Sequence, residues 1–406
     1  MTESSLTKYS RRTLLATLGS GLLTGCLRTG TETPSTATPT EAQSTTESST
    51  TEVTTSPSVT STPEPPVSLA REWNAFFNPI GSAVVDDNVV YSGSREGVRA
   101  LSVTNGAERW QTKQDRISLL GTVDSDTLYY TSFLEPGLYK ASTETGEIAG
   151  TADIGPAGGP PAVTDDYVVV GTDHNSNDGT TNKVVGLSKR DFSQVWSVSE
   201  TDRSYTGGIA FNGQAIVGFG TRDQNRIEAR NPATGTVTWT VDGYVTAPLR
   251  QYDGSLYAPV AGGGGVELVK IDSDGSVAWR HLLEEQTDSM YVYTAAPTFH
   301  RNRAYFASYS QVHAVDLDTG ETVWQTTTDR PMKSSPAIVG DHVWVTPTEL
   351  PDEERNRELY GFDIETGEQQ VRTRFAASTH DALALGNTLA VVMENQMVAF
   401  SLETNT

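Results

Sequence analysis

Cysteine is almost missing from this chain: Cys26 is the single one in 406 residues. No disulfide can form within the chain, and no thiolate metal site can be built in its body. Lysine is scarce too, with 7 Lys against 22 Arg, and acids outnumber bases 51 to 29 for a formal net charge of −22. Such a surface repels a phosphate backbone, and no basic stripe offsets it, so nucleic acid is excluded as a partner. The same acidity keeps a protein hydrated in concentrated salt, where charge repulsion is screened, and points to a halophile.

The short catalytic and ligand-holding motifs are also missing. The six histidines (174, 281, 300, 313, 342 and 380) show no His-x-x-x-His spacing, and there is no Gly-x-Ser-x-Gly elbow. The four-glycine run 262–265 lacks a following Lys-Ser/Thr and reads as a loop, not a phosphate cradle. Residues 173–179, Asp-His-Asn-Ser-Asn-Asp-Gly, imitate a calcium loop poorly: the glycine comes one position late, and the twelfth position is Val184, not Glu. They read as a polar hairpin loop.

No hydrophobic run is long enough to span a bilayer as a helix. The longest near the N-terminus, from Leu14 to Leu23, is about ten residues against the ~20 required. It follows the paired Arg11 and Arg12 and ends in Leu-Thr-Gly-Cys at Cys26. Residues 1–25 therefore resemble a twin-arginine lipoprotein signal, with Cys26 as the acceptor of the lipid. Residues 27–66 are nearly all Thr, Ser, Pro, Glu and Ala. They have nothing with which to bury a core, so 26–66 is expected to be a lipidated, disordered linker reaching roughly 35 Å, with a composition that resembles O-glycosylated stalks.

What remains, 67–406, is repetitive. An apolar strand runs into a Thr-Gly-type turn and then into a strand that usually carries Trp. The clearest copy is Val-His-Ala-Val-Asp-Leu-Asp-Thr-Gly-Glu-Thr-Val-Trp at 312–324. The turn glycine or its equivalent falls at Gly106, Gly146, Phe192, Gly235, Gly275, Gly320, Gly367 and Asn405, with gaps of 40, 46, 43, 40, 45, 47 and 38 residues. A period of this length with several short strands per copy is the signature of a β-propeller. Third-type and fourth-type strands each number eight, but the first fourth-type strand, around Trp73, precedes any complete repeat. The expectation is all-β: an eight-bladed β-propeller of four-stranded blades. Residues 70–75 supply the outer strand of the last blade, closing the ring and removing an exposed edge.

The pattern Ala-x-Asp-x-x-Thr-Gly-x-x-x-Trp, as at 314–324, 229–239 and, in part, 361–368, resembles the repeat of the pyrroloquinoline-quinone (PQQ) propeller family over essentially all of 69–406. The resemblance implies the fold and leaves two kinds of function open. One branch oxidises alcohols with PQQ and Ca²⁺ in the central funnel; the other is catalytically silent and includes an outer-membrane assembly lipoprotein that holds partner proteins. The enzyme branch carries a vicinal cysteine pair near the quinone, which this chain lacks. Nor does a clustered Glu/Asn/Asp set match the Ca²⁺ site position by position. The Trp residues at 73, 110, 196, 239, 279 and 324 hold one repeat position and read as packing between blades. Trp344 reads as core.

The leading expectation is therefore a non-catalytic lipoprotein, anchored through Cys26 on the outer face of a haloarchaeal membrane, with no cofactor, binding a protein or extracellular polymer. A PQQ/Ca-dependent oxidoreductase is the rival, and an extracellular small-ligand or sugar receptor the third reading. Binding residues concentrate on loops carried by a rigid scaffold. The long, variable segments 173–183, 201–207, 281–294, 329–334, 350–358 and 374–381 all belong to one face of a propeller. The candidate binding residues are His281, Glu284, Glu285, Tyr291, Tyr293, Asp352, Glu353, Glu354 and Arg355.

Overall fold

The computed structural model describes residues 67–404 apart from 115–116, 118–119, 135, 173–181, 201–203, 221–224, 263–264, 286–294, 309–310, 333 and 348–355. Arg11, Arg12, Cys26, the 173–179 loop, Tyr291, Tyr293 and Asp352 to Arg355 lie outside the described residues.

Every regular element among the described residues is a β-strand, and the strands form eight antiparallel sheets. Blades one to seven occupy 79–111, 120–153, 162–200, 205–242, 244–285, 298–327 and 337–374, each running through its strands in chain order. Blade eight takes three strands from 379–404 and its outer strand, Val67–Phe76, from the beginning of the domain. That strand pairs antiparallel with Gln396–Thr404, Val67 opposite Thr404 and Phe76 opposite Gln396. The closure expected from the strand count is the one observed. Blade five departs from four strands, because its inner strand is broken into Tyr244–Val245 and Arg250–Tyr252.

The burial pattern follows from position in the blade. Second strands such as Val89–Ser94 and His342–Val345 are buried at every residue, because neighbouring blades cover both faces. They therefore read as continuous apolar runs. Fourth strands such as Gln194–Glu200 alternate between exposed and half-buried, as expected of an outer rim with one covered face. First strands of adjacent blades touch one another and line the inside of the ring.

The turns between first and second strands use left-handed backbone at Asp87, Asn212 and Asp253, with φ of 46, 49 and 44°. Asp and Asn tolerate this region better than other side chains do. These turns and those between third and fourth strands lie on one face, the turn face. The connections from second to third strands, and from each blade to the next, lie on the other, the loop face.

Candidate functional site

The loop face is organised most clearly where blades six, seven and eight meet. Glu358 begins the strand Glu358–Asp363 and pairs across to the strand Gln369–Arg374, which carries Arg372. The Arg372 guanidinium donates to both Glu358 oxygens at 3.0–3.2 Å, and to Asp329 of the blade six connection at 2.8 Å. The Tyr360 hydroxyl lies 3.0 Å from both carboxylates and donates to one at a time, while Arg372 also stacks over its ring at 5.0 Å. Burial works to raise the Glu358 and Asp329 carboxyls. Hydrogen bonds from Arg372 and Tyr360 outweigh it and hold both below the usual carboxylate range. Burial and these two carboxylates push the Tyr360 phenol up, and Glu358 raises Arg372.

Beneath this cluster sits Asn356, wholly buried. Its side-chain amide donates to the Pro347 carbonyl and, at 3.1 Å, to the Thr379 hydroxyl. Its side-chain oxygen accepts from the Glu358 N–H at 3.2 Å. Pro347 and Asn356 are thus tied together and to the inner strand of blade eight. Sequence reasoning singled out Asp352 to Arg355, which lie outside the described residues, and missed Asn356, Glu358, Tyr360 and Arg372. Arg372 and Tyr360 lie opposite one another on paired strands, and alternation along a strand was the signal that could have found them.

His281 is not a loop residue. It lies within the strand Val277–Glu285, opposite Leu268, and is 9% exposed. Its Nδ1 lies 2.7 Å from the carbonyl oxygen of Gly320, which fixes it as a donor. Thr326 bonds the Gly367 carbonyl from the same repeat position, two residues beyond the Trp, at 2.5 Å. His281 is therefore an inter-blade donor within a strand, and the sequence placed it in a loop because the strand runs further than the loop boundary assumed. Glu284 and Glu285 close the same strand, opposite Val266 and Gly265.

Inside the ring, Arg250 on the inner strand of blade five is exposed to solvent yet enclosed deeply enough that burial lowers its pKa. Asp381, on the inner strand of blade eight, opposes that shift. Among the described residues no group of three or more His, Cys, Asp and Glu could hold a metal ion.

The turn face carries two open depressions. One of about 600 Å³ is lined by Asp165, Asp166, Lys189 and Arg190 among others, and one of about 350 Å³ by Arg301, Arg303, Tyr305 and Glu365 among others. Their charges are engaged locally: Lys189 pairs with Asp124 at 2.5 Å and Arg303 with Glu365 at 2.8 Å.

Apolar side chains are left bare on the loop face. Phe76, at the loop-face end of the closing strand, is 74% exposed; Phe133 and Leu134, between the second and third strands of blade two, are 44% and 48% exposed.

Comparison with known proteins agrees with this architecture. The chain is similar in fold to BamB from Moraxella catarrhalis, with a TM-score of 0.64 at 17% identity over 84% of this chain and 99% of that one. It is also similar to the quinohemoprotein alcohol dehydrogenase ADHIIG from Pseudomonas putida, at 0.57 and 12% identity over 84% and 77% of the two chains. The computationally designed Ika8 protein matches at 0.62 and 13% identity over 82% and 99%. At these identities the likeness is one of fold. No curated protein matches the chain. A family model described as outer membrane protein assembly factor BamB matches residues 94–221, 138–347 and 308–406. The repeat, the eight closed blades and this match together place the chain in the BamB-like family of PQQ-type propellers.

Proposed function

We propose that this protein is a non-catalytic, lipid-anchored scaffold on the cell surface, whose propeller holds a partner protein on its loop face. The observation that carries the reading is the loop face itself. Bare aromatic and aliphatic groups at Phe76, Phe133 and Leu134 accompany loop bases pinned by Asn356 and by the Glu358–Arg372–Asp329 cluster. Apolar groups presented on a rigid frame are what a protein interface requires at its centre. The anchor and the export route rest on Arg11, Arg12 and Cys26. The family match supports a scaffold, because the model it matches is described as an assembly factor.

A photo-reactive amino acid at Phe133 or Phe76 should give a discrete cross-linked product on intact cells, and the same group at Ser273 on the turn face should give none. Cross-linking confined to the turn face would sink the reading. The rival is a quinoprotein oxidoreductase, favoured by the fold likeness to the alcohol dehydrogenase. PQQ titrated into the protein in molar salt, with and without Ca²⁺, should leave Trp fluorescence unchanged and reduce no dye with alcohols. Tight, Ca²⁺-dependent binding with turnover would replace the scaffold with an enzyme.

A further inference from the structure

The closing strand gives the domain a direction. Val67 is opposite Thr404, at the end of a third strand, and so lies on the turn face; Phe76 is opposite Gln396, at the start of that strand, and so lies on the loop face. Two further contacts agree. Val67 is buried in a cluster with Val339, the residue just before the Gly340–Asp341 turn of blade seven. At the other end, the N–H of Phe77 donates to Asn395 in the connection between second and third strands, at 3.1 Å. The chain that precedes the domain therefore enters the ring at the turn face and nowhere near the loop face. The entry point is held by a buried side chain and a continuous ladder from Val67 to Arg71.

We propose that the anchored ring is oriented by this entry, with the turn face toward the membrane and the loop face, including Phe76, Phe133 and Leu134, turned away from it. The partner of the loop face is then a protein approaching from outside the cell, and not the headgroups of the bilayer that holds the anchor. This inference rests on the lipid anchor at Cys26 proposed above. The ten-residue closing strand spans about 30 Å from one face to the other. That is comparable to the roughly 35 Å expected from the sequence for a flexible coil of that length, so attachment at one face makes a difference in mean height that can be measured.

The sequence suits the measurement, because Cys26 is its only cysteine and a lipidated Cys26 leaves no other thiol. Single cysteines at Ser273→Cys and Glu144→Cys on the turn face, and at Phe133→Cys and Ala376→Cys on the loop face, would each carry a donor fluorophore. The full-length protein, purified from its own membrane, would be reconstituted into phosphatidylcholine vesicles with an acceptor dye on the headgroups. Transfer from both turn-face positions should exceed that from both loop-face positions by at least about twofold, given the strand length. Equal transfer, or more from the loop face, overturns the orientation and leaves room for the loop face to lie on lipid. Cys26→Ser should release the protein from the vesicles. If it stays bound, the anchor fails and the inference with it; if it is released but the labelled variants that keep Cys26 show equal transfer, the orientation alone fails.

Discussion

Six of the eight junctions between blades are built one way, and the junction between blades two and three is built the other way round. In the six, a Trp on the fourth strand of one blade lies against the turn glycine of the next: Trp73 on Gly106, Trp110 on Gly146, Trp196 on Gly235, Trp239 on Gly275, Trp279 on Gly320 and Trp324 on Gly367. A Cβ added at Gly235 or Gly320 would sit 2.7 Å from the indole. Between blades two and three the register puts Gly150 at the Trp position, opposite Lys140, and Phe192 at the glycine position. The bulk has moved from one side of the junction to the other.

The polar contact stays where it was. In most junctions the indole Nε1 donates to the carbonyl three residues before the turn glycine, as from Trp110 to Thr143 at 2.8 Å and from Trp324 to Ile364 at 3.0 Å. In the reversed junction the Lys140 ammonium takes that place. It donates to the carbonyls of Lys189 and Arg190 at 3.1 and 2.6 Å and lies 4.7 Å over the Phe192 ring. What is kept is a filled wedge and a donor from the preceding blade to the same carbonyl; only the bulk changes sides. Phe192 keeps φ at 61°, in the region of the turn glycines, so the turn geometry is required even where the residue is poorly suited to it.

The largest effect should come from blocking a wedge outright. Gly320→Val meets the Trp279 indole and places a β-branched residue at φ +73°. Overpacking and strain each cost about 1–3 kcal/mol, so a loss of about 4 kcal/mol is expected in denaturant unfolding. Exchange at the reversed junction comes next. Phe192→Gly loses a buried ring but relieves the backbone, for a net cost of about 2 kcal/mol. Gly150→Trp alone should also destabilise, because the Lys140 Cε lies 2.8 Å from where a Cβ would stand and moving it breaks the bonds of the ammonium to Lys189 and Arg190. The triple variant Gly150→Trp, Lys140→Ala and Phe192→Gly recreates the common junction and should recover stability to within about 1 kcal/mol, a coupling of the size found for residues in contact. Strict additivity of the three single effects would show that the two arrangements are not equivalent.

This comparison also shows where the sequence is transparent and where it is not. The repeat could be counted because the wedge needs Trp and Gly at fixed spacing, and Phe192 could be aligned because the turn around it kept its length. The closing strand was legible for the same reason. The role of Lys140 was not, because a lysine in a strand signals a solvated face unless its neighbours in the next blade are known. His281 was read as a loop residue because nothing in the sequence links it to Gly320, 39 positions on. The cluster of Glu358, Arg372 and Asp329 joins two blades and three strands or connections, so no local pattern contains it.

His313 gives the junction between blades five and six a dependence on acid pH. It is buried, with both ring nitrogens unpartnered, 6.1 Å from the His281 ring. Burial, with a smaller contribution from His281, pushes its pKa down to about 3. The folded state therefore binds fewer protons than the unfolded state between the unfolded value of about 6.5 and about 3. Stability supplied by keeping His313 neutral is fully present above that window and is lost as pH falls through it, by up to about 1.4 kcal/mol per unit. His313→Leu should flatten the acid limb of the stability profile between pH values of about 6 and 4; an unchanged slope would place the titration elsewhere.

The smallest effect tests whether the donor or the bulk of the indole matters. At blade five the turn is one residue shorter: Gly275 N–H reaches back three residues to Asp272, where Gly320 and Gly367 reach back four, to Asp316 and Asp363. The shortening withdraws the carbonyl, and the Trp239 Nε1 is left buried without a partner. Trp324→Phe and Trp239→Phe remove similar bulk, but only the first removes a hydrogen bond. Trp324→Phe also leaves the Ile364 carbonyl to share only a 3.4 Å contact with Tyr305 and another with Arg303. It should therefore cost about 1 kcal/mol more than Trp239→Phe, where removing an unsatisfied N–H offsets part of the lost packing. Equal costs in urea unfolding would mean that the wedge works by volume alone, and that the Lys140 ammonium is incidental to the reversed junction.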